Sequence, residues 1–185
     1  MAWDTIAPMS IQAGTHKVGP GNGSLKIKTG REGAAAKMGH DLVIEVTDWS
    51  GTVSIGASPS VKLTANPSSV EVLSGEGGAK SLSGDDKEKI KKSATGKVLG
   101  SSPITFQSSD VSHDAGTLHV QGNLSINGKS DAIGISCTVA DDGTVAGAAR
   151  FDQSTFGIKQ FSTMMGGLKV KDSVEVLVEA KLPTA

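Results

Sequence analysis

From Leu118 to Leu182, apolar residues fall on every second position of one run after another. That period of two is the feature that most restricts what the chain can become. Leu118, Val120, Leu124 and Ile126 alternate with His119, Gln121, Asn123 and Ser125, with Gly122 in the apolar phase. Asn127-Gly128 follows, a dipeptide that favours a two-residue hairpin turn. Ile133, Ile135, Cys137 and Val139 form the next alternating set, and Asp141-Asp142-Gly143 turns the chain again. Val145, Gly147, Ala149 and Phe151 make a third set. After an irregular piece from Asp152 to Lys171, Val174, Val176, Val178, Ala180 and Leu182 make a fourth. Side chains of a strand alternate between two faces, so each run buries one face and wets the other. Consecutive antiparallel strands of this kind make a sandwich or a barrel.

The N-terminal half repeats the pattern less regularly. A short strand is expected around Met9–Ala13, and Pro20-Gly21-Asn22-Gly23 imposes a turn. Leu25 and Ile27, then Leu42, Ile44 and Val46, then Val53 and Ile55, Val61 and Leu63, and Val70 and Val72 mark further short strands. Arg31–Lys37 reads as a helical turn. Composition shifts between Ser74 and Lys97. There Ser83 reads as an N-cap, with Asp85 and Asp86 in the first turn and Lys91 and Lys92 late, an order that complements the helix dipole. One surface helix is expected over Asp85–Ala94, and Pro103–Phe106 returns to strand. No second composition regime appears, so the 185 residues read as one domain.

Charge and composition narrow the function. A net charge of −1 gives no basic surface for nucleic acid. The single cysteine, Cys137, cannot form an intrachain disulfide and lies in phase with Ile133 and Ile135, as a buried thiol would. Met1–Pro8 has neither the basic nor the apolar region of a leader, and no run approaches the ~18 apolar residues of a membrane helix. The reading is a cytoplasmic protein, or a periplasmic or secreted one had a leader been trimmed. The lysines at 87, 89, 91, 92 and 97 read as a solvated helix face or as a contact for an anionic membrane surface.

Few groupings carry chemistry. Gly39-His40-Asp41 places a histidine beside a carboxylate, but strand neighbours point to opposite faces, so the two do not form a dyad with each other. His40 is read as structural, catalytic or at a pocket mouth. His16, His40, His113 and His119 lack the close spacings of metal sites. Between Phe151 and Phe161 fall three of the chain's six aromatics, and the segment from Phe156 to Leu168 adds Ile158, Met164 and Met165 among Gly157, Gly166 and Gly167. An apolar piece without period either plugs a barrel end or forms a lid over a cavity that takes a flexible apolar ligand.

Several blocks together resemble the YceI-like family. They are Pro103–Ser108, Leu118–Asn123, Leu124–Lys129, Phe151–Ile158 and Asp172–Glu179, in that order and spacing, with the charged helix before Pro103 and a looser match from Gly39 to Gly51. The resemblance implies an all-β, lipocalin-like antiparallel β-barrel of about eight strands with one or two short surface helices. It also implies an elongated apolar interior for isoprenoids or similar amphiphiles, no established catalytic residues, and pocket roles for Phe106, Phe156 and Ile158. The expected ligand-binding set is Met38, His40, Leu42, Phe106, Phe151, Phe156, Ile158, Phe161, Met164, Met165 and Leu168. The function expected is non-enzymatic binding, transport or storage of an isoprenoid, isoprenoid quinone or related lipid, with no cofactor or metal. Two alternatives stand beside it: an enzyme or metal- or haem-binding module centred on His40, and a stress-related interaction protein with a filled barrel. The partners expected are a lipid-like ligand, a transient membrane-surface contact and a second copy of the chain, and no nucleic acid.

Overall fold

The alternating runs become strands, each with its apolar phase inward. Val120, Gly122, Leu124 and Ile126 are buried while Gln121 and Asn123 are exposed. The computed structural model describes residues 11–114 and 116–185. Its main strands are β1 (Gly14–Val18), β2 (Gly23–Thr29), β4 (His40–Val46), β5 (Trp49–Ile55), β6 (Ser60–Ala65), β7 (Val70–Gly77), β8 (Ile104–Asp114), β9 (Thr117–Ile126), β10 (Lys129–Val139), β11 (Thr144–Asp152) and β14 (Ser173–Lys181). Three short strands, β3 (Arg31–Glu32), β12 (Ser162–Thr163) and β13 (Leu168–Val170), form a separate small sheet. One α-helix, α1 (Gly84–Ser93), precedes β8.

The antiparallel pairings run around a ring. β8, β9, β10, β11 and β14 pair in succession, and β14 pairs with β2. β2 pairs with β4 while β1 pairs with β5; β4 then pairs with β7 while β5 pairs with β6, and β6 returns to β8. The sheet thus has eleven strand segments where the sequence suggested about eight strands. The difference is three breaks, at 19–22, 47–48 and 66–69, which split long strands into β1/β2, β4/β5 and β6/β7.

The breaks lie side by side. Asn66 donates its backbone N–H to the Asp48 carbonyl (2.9 Å), and its side-chain amide to the Asp48 carboxylate (3.0 Å). The Thr47 N–H bonds the Ser69 carbonyl, and Gly19 backs onto the Trp49 carbonyl so closely that a Cβ would stand 3.2 Å from it. The three breaks therefore line up across the wall, beside buried Trp49. Asn22 spans the first break, its amide donating to the carbonyls of Lys17 and Lys181.

At one end the wall splays. β10 meets β11 only over Ser136–Val139, and β6 meets β8 only over Lys62–Ala65. The first gap is filled by a 3-10 turn at Gln153–Phe156, whose Phe156 is 1% exposed. The second is spanned by α1 and the wide turn Ala94–Val98, which reaches the β9–β10 hairpin where the Asn127 amide donates to the Val98 carbonyl. That hairpin has the Asn127-Gly128 turn the sequence suggested, with φ of +51° and +74°.

The helix keeps its expected caps: Ser83 and Asp86 exchange side-chain to backbone hydrogen bonds at its start. Elsewhere local expectations shift. Arg31–Lys37 is not a helical turn over its length, because Arg31 and Glu32 pair with Val170 and Lys169, leaving a 3-10 turn only at Ala36–Met38. Of the strand expected at Met9–Ala13, Ile11 makes one bridge to Thr184 and regular pairing begins at Gly14, while Met9 and Ser10 lie outside the described residues. Met1–Pro8, read above for a leader, also lies outside them.

Candidate functional site

Inside the ring the inward phases of β2, β4, β8, β9, β10, β11 and β14 face one another, and they do not fill the space. Three apolar cavities lie in line along the barrel. The one at the end where β10 turns into β11 is small, about 90 Å³, with Cys137, Val120 and Leu182 on its wall. The middle cavity, about 120 Å³, shares Leu63, Ile135 and Val178 with the first. The third, at the splayed end, is about 350 Å³ and shares Ile27, Leu99, Ile126 and Phe151 with the middle one. Neighbouring cavities share wall residues, so the three lie end to end inside the barrel. The largest alone falls in the roughly 300–1,000 Å³ range of small-molecule sites.

Small residues let neighbouring side chains close over the wall. Gly122 and Gly147 sit in the inward phase, and a Cβ at Gly147 would stand 2.9 Å from Cys137 Sγ, 3.0 Å from Ile135 and 3.1 Å from Val178. Burial pushes the Cys137 thiol up to about 11.

The splayed end is closed by two pieces of different character. On one side stand Ile90, Ala94, Val98 and Leu99 from α1 and the turn after it. The helix is held to β7 by the Lys91–Glu71 ion pair and by Lys87, whose ammonium donates to the Leu73 carbonyl (3.0 Å). Two of the lysines read as a solvated face are thus fastened to the barrel, and exposed Lys89 stands at the cavity rim.

On the other side lies the 153–170 segment. Its first turn is fixed by Asp172: the Ser154 N–H donates to its carboxylate (2.8 Å), and the Gln153 N–H to its carbonyl (2.9 Å). Phe156 packs edge-on against Phe151, ring centroids 5.2 Å apart.

The structure separates the sequence-derived site residues into groups. Leu42, Phe106, Phe151, Ile158 and Phe161 line the interior. Phe156 is buried behind Phe151 in the wall. Leu168 packs over Gly39, where a Cβ would come within 2.5 Å of its Cδ1. Met38, Met164 and Met165 do not line the interior; they are 53%, 52% and 106% exposed. Met164 and Met165 form a turn with φ of +52° and +55°, which directs them away from the barrel.

His40 is also off the cavity wall. Its Nε2 lies 2.7 Å from the Lys80 carbonyl, and its ring covers Gly78. Asp41, on the opposite face, approaches Arg31 at 3.9 Å. Among the described residues, no three of His, Cys, Asp and Glu are grouped so as to hold a metal.

What the sequence did not single out is the contribution of α1 and of β2. Ile90, alone among charged residues in the helix, was the available signal for the first. The phase of Leu25 and Ile27 carries through to Thr29 on the second, and Thr29 lines the widest cavity.

A profile of the YceI-like domain matches residues 22–182. The chain belongs to the YceI-like family. Its barrel is similar to that of BcnA from Burkholderia cenocepacia, with a TM-score of 0.64 and 18% identity over 88% of this chain and 97% of that one. It is similar also to the YceI protein of Campylobacter jejuni, with a TM-score of 0.50 and 15% identity over 74% and 81% of the two chains. At these identities the likeness is one of fold. No curated protein matches the chain.

Proposed function

We propose that this YceI-like protein is a non-enzymatic carrier or store for a long apolar amphiphile, an isoprenoid or isoprenoid quinone first, held along the barrel interior. The observation that carries this reading is the line of three apolar cavities, each sharing wall residues with the next. A filled barrel would lack them. Each 100 Å² of tail taken from water contributes about 2.5 kcal/mol at ~25 cal/mol per Å². A tail long enough to cross two cavities can offset the costs of association and ordering. Family membership supports the same reading. The His40-centred alternative draws no support from the geometry, since the ring serves to hold the Gly77–Lys80 loop and lines none of the three barrel cavities.

Exchange with a membrane belongs to this proposal. Among the described residues no helix is long and apolar enough to cross a membrane. The exposed Met164–Met165 turn stands at the end of the barrel that carries the widest cavity, on the same segment as the cavity-lining Phe161. Native mass spectrometry of the purified protein, followed by solvent extraction, tests the main reading. A co-purifying lipid, or uptake of an added prenylated quinone at one per chain, is expected. A protein that takes up neither would refute it.

A further inference from the structure

Four large apolar side chains are exposed among the described residues, and three of them, Met38, Met164 and Met165, stand on two turns at the wide end of the barrel. The turns touch: the Ala35 N–H donates to the Gly167 carbonyl (2.7 Å), and the Gly167 N–H donates to the Met164 carbonyl (3.0 Å). Met164 and Met165 hold left-handed backbone, φ of +52° and +55°, which residues with a Cβ adopt at a cost. Folding gains nothing from apolar groups held in water this way. Cations flank the same turns. Lys37 precedes Met38, and from Gln153 to Lys171 the chain carries Lys159, Lys169 and Lys171 and no carboxylate. Lys37, Lys159 and Lys171 are exposed, and among the described residues none of the three is in an ion pair. Nearby carboxylates have other partners: Asp172 holds the Ser154 turn, Glu32 accepts from the Gln160 amide, and Asp41 faces Arg31. The opposite end, at the β8–β9 and β10–β11 turns, has the other sign, with exposed Asp110, Asp114, Asp141 and Asp142 against Lys17 and Lys181.

We propose, resting on the carrier reading and its exchange with a membrane, that the wide end docks on an anionic bilayer surface. Met38, Met164 and Met165 enter the headgroup layer, and Lys37, Lys159 and Lys171 meet the lipid phosphates. Methionine is unbranched and adapts to an irregular apolar environment, as a disordered lipid layer is. Lysine lays its stem along apolar surface while its ammonium stays among the headgroups. A barrel basic at one end and acidic at the other turns its wide end towards negative charge before contact. The cavity-lining Phe161 lies on the same segment as the methionine turn, so docking brings the widest cavity to the lipid. A second copy of the chain is a poorer occupant, because a two-fold contact through this patch sets the same lysines against each other.

The test is flotation of the full chain with vesicles of phosphatidylcholine alone, and of phosphatidylcholine mixed with phosphatidylglycerol, at low and at high salt. The parent is expected to float with the mixed vesicles at low salt and to be released by high salt. Met38→Ser with Met164→Ser and Met165→Ser should weaken that binding at least about tenfold. Lys37→Gln with Lys159→Gln should weaken it about tenfold or more, at roughly fivefold for each lysine near an anionic surface. Lys17→Gln with Lys62→Gln makes the same charge change on strands away from the wide end, where both residues lie opposite Thr52, and should leave binding nearly unchanged. All three variants should keep the parent's melting temperature and its uptake of a prenylated quinone in native mass spectrometry. Equal binding to both kinds of vesicle, binding to neither, the same loss from both lysine pairs, or a self-association of the parent that the methionine variant abolishes would overturn the docking. A chain that takes up the quinone but never floats loses the docking alone, and one that floats but takes up no lipid loses the carrier function.

Discussion

Cys137 shows how one residue reports on the interior. It lines the narrow end of the barrel and is 7% exposed, and burial holds its thiol near 11 against an ordinary 9.0. The unfolded chain loses this proton first as pH rises, so between about 9 and 11 the unfolded state binds fewer protons than the folded one. Stability then falls with pH, by at most about 1.4 kcal/mol per pH unit from this group. Cys137→Ala should flatten that part of a melting-temperature profile, measured against the parent to subtract the lysines. A parallel fall in both proteins would show that the thiol is not buried as described. Cys137 was legible in the sequence, because its phase with Ile133 and Ile135 is a local property of one strand. His40 was not. Its phase places it inward with Leu42 and Ile44, but the Gly77-Gly78 loop, with φ of +83° and +75°, folds back so that the Lys80 carbonyl meets the ring. That contact joins residues 40 apart in sequence, and no local pattern announces it.

At the level of elements, the segment from Phe156 to Leu168 is neither the uniform lid nor the uniform plug that its composition suggests. Phe156 and Ile158, at 1% and 6% exposure, complete the wall between β10 and β11, Phe161 faces the cavity, and Met164 and Met165 point outward. Two substitutions separate these roles. Phe156→Ala removes a packed ring from the wall and should cost about 3–5 kcal/mol. At roughly 2–4 °C per kcal/mol for a chain of this size, the melting temperature should drop by about 10 °C. Met164→Ser with Met165→Ser removes exposed groups and should stay within about 0.5 kcal/mol, yet slow the transfer of a fluorescent prenyl analogue from anionic vesicles. A large stability loss from the methionine pair, or unchanged transfer, would remove the turn from the exchange route. The sequence showed that the segment was apolar and irregular. It could not show the division of labour, which is set by where β10 and β11 separate and by Asp172 holding the Ser154 turn.

For the whole molecule, the meander from β8 to β14 was legible because each strand carries its own alternation and its own turn. The closure was harder to see: long strands broken at 19–22, 47–48 and 66–69 read as short separate ones, and only their hydrogen-bonded alignment makes them one wall. The closed wall makes the interior a tube whose length should select the ligand's tail. The first two cavities share Leu63, Ile135 and Val178, and Gly147, whose strand partners are Cys137 and Val178, lies beside the last two in the wall. A methyl group there would come within 2.9–3.1 Å of Cys137, Ile135 and Val178, tighter than ordinary contact. Those side chains must then lean into the bore. Gly147→Ala should cost roughly 1–3 kcal/mol as overpacking, and close the passage to the end cavity while leaving the widest cavity, beneath α1, as it is. The expected outcome is a change in length preference. Solanesol, the long-tailed alcohol, should lose at least about tenfold in affinity, ~1.4 kcal/mol, while the short geraniol should bind as before. Equal loss for both alcohols would mean that the substitution damages the barrel generally, and no loss for solanesol would mean that the tail never passes Gly147.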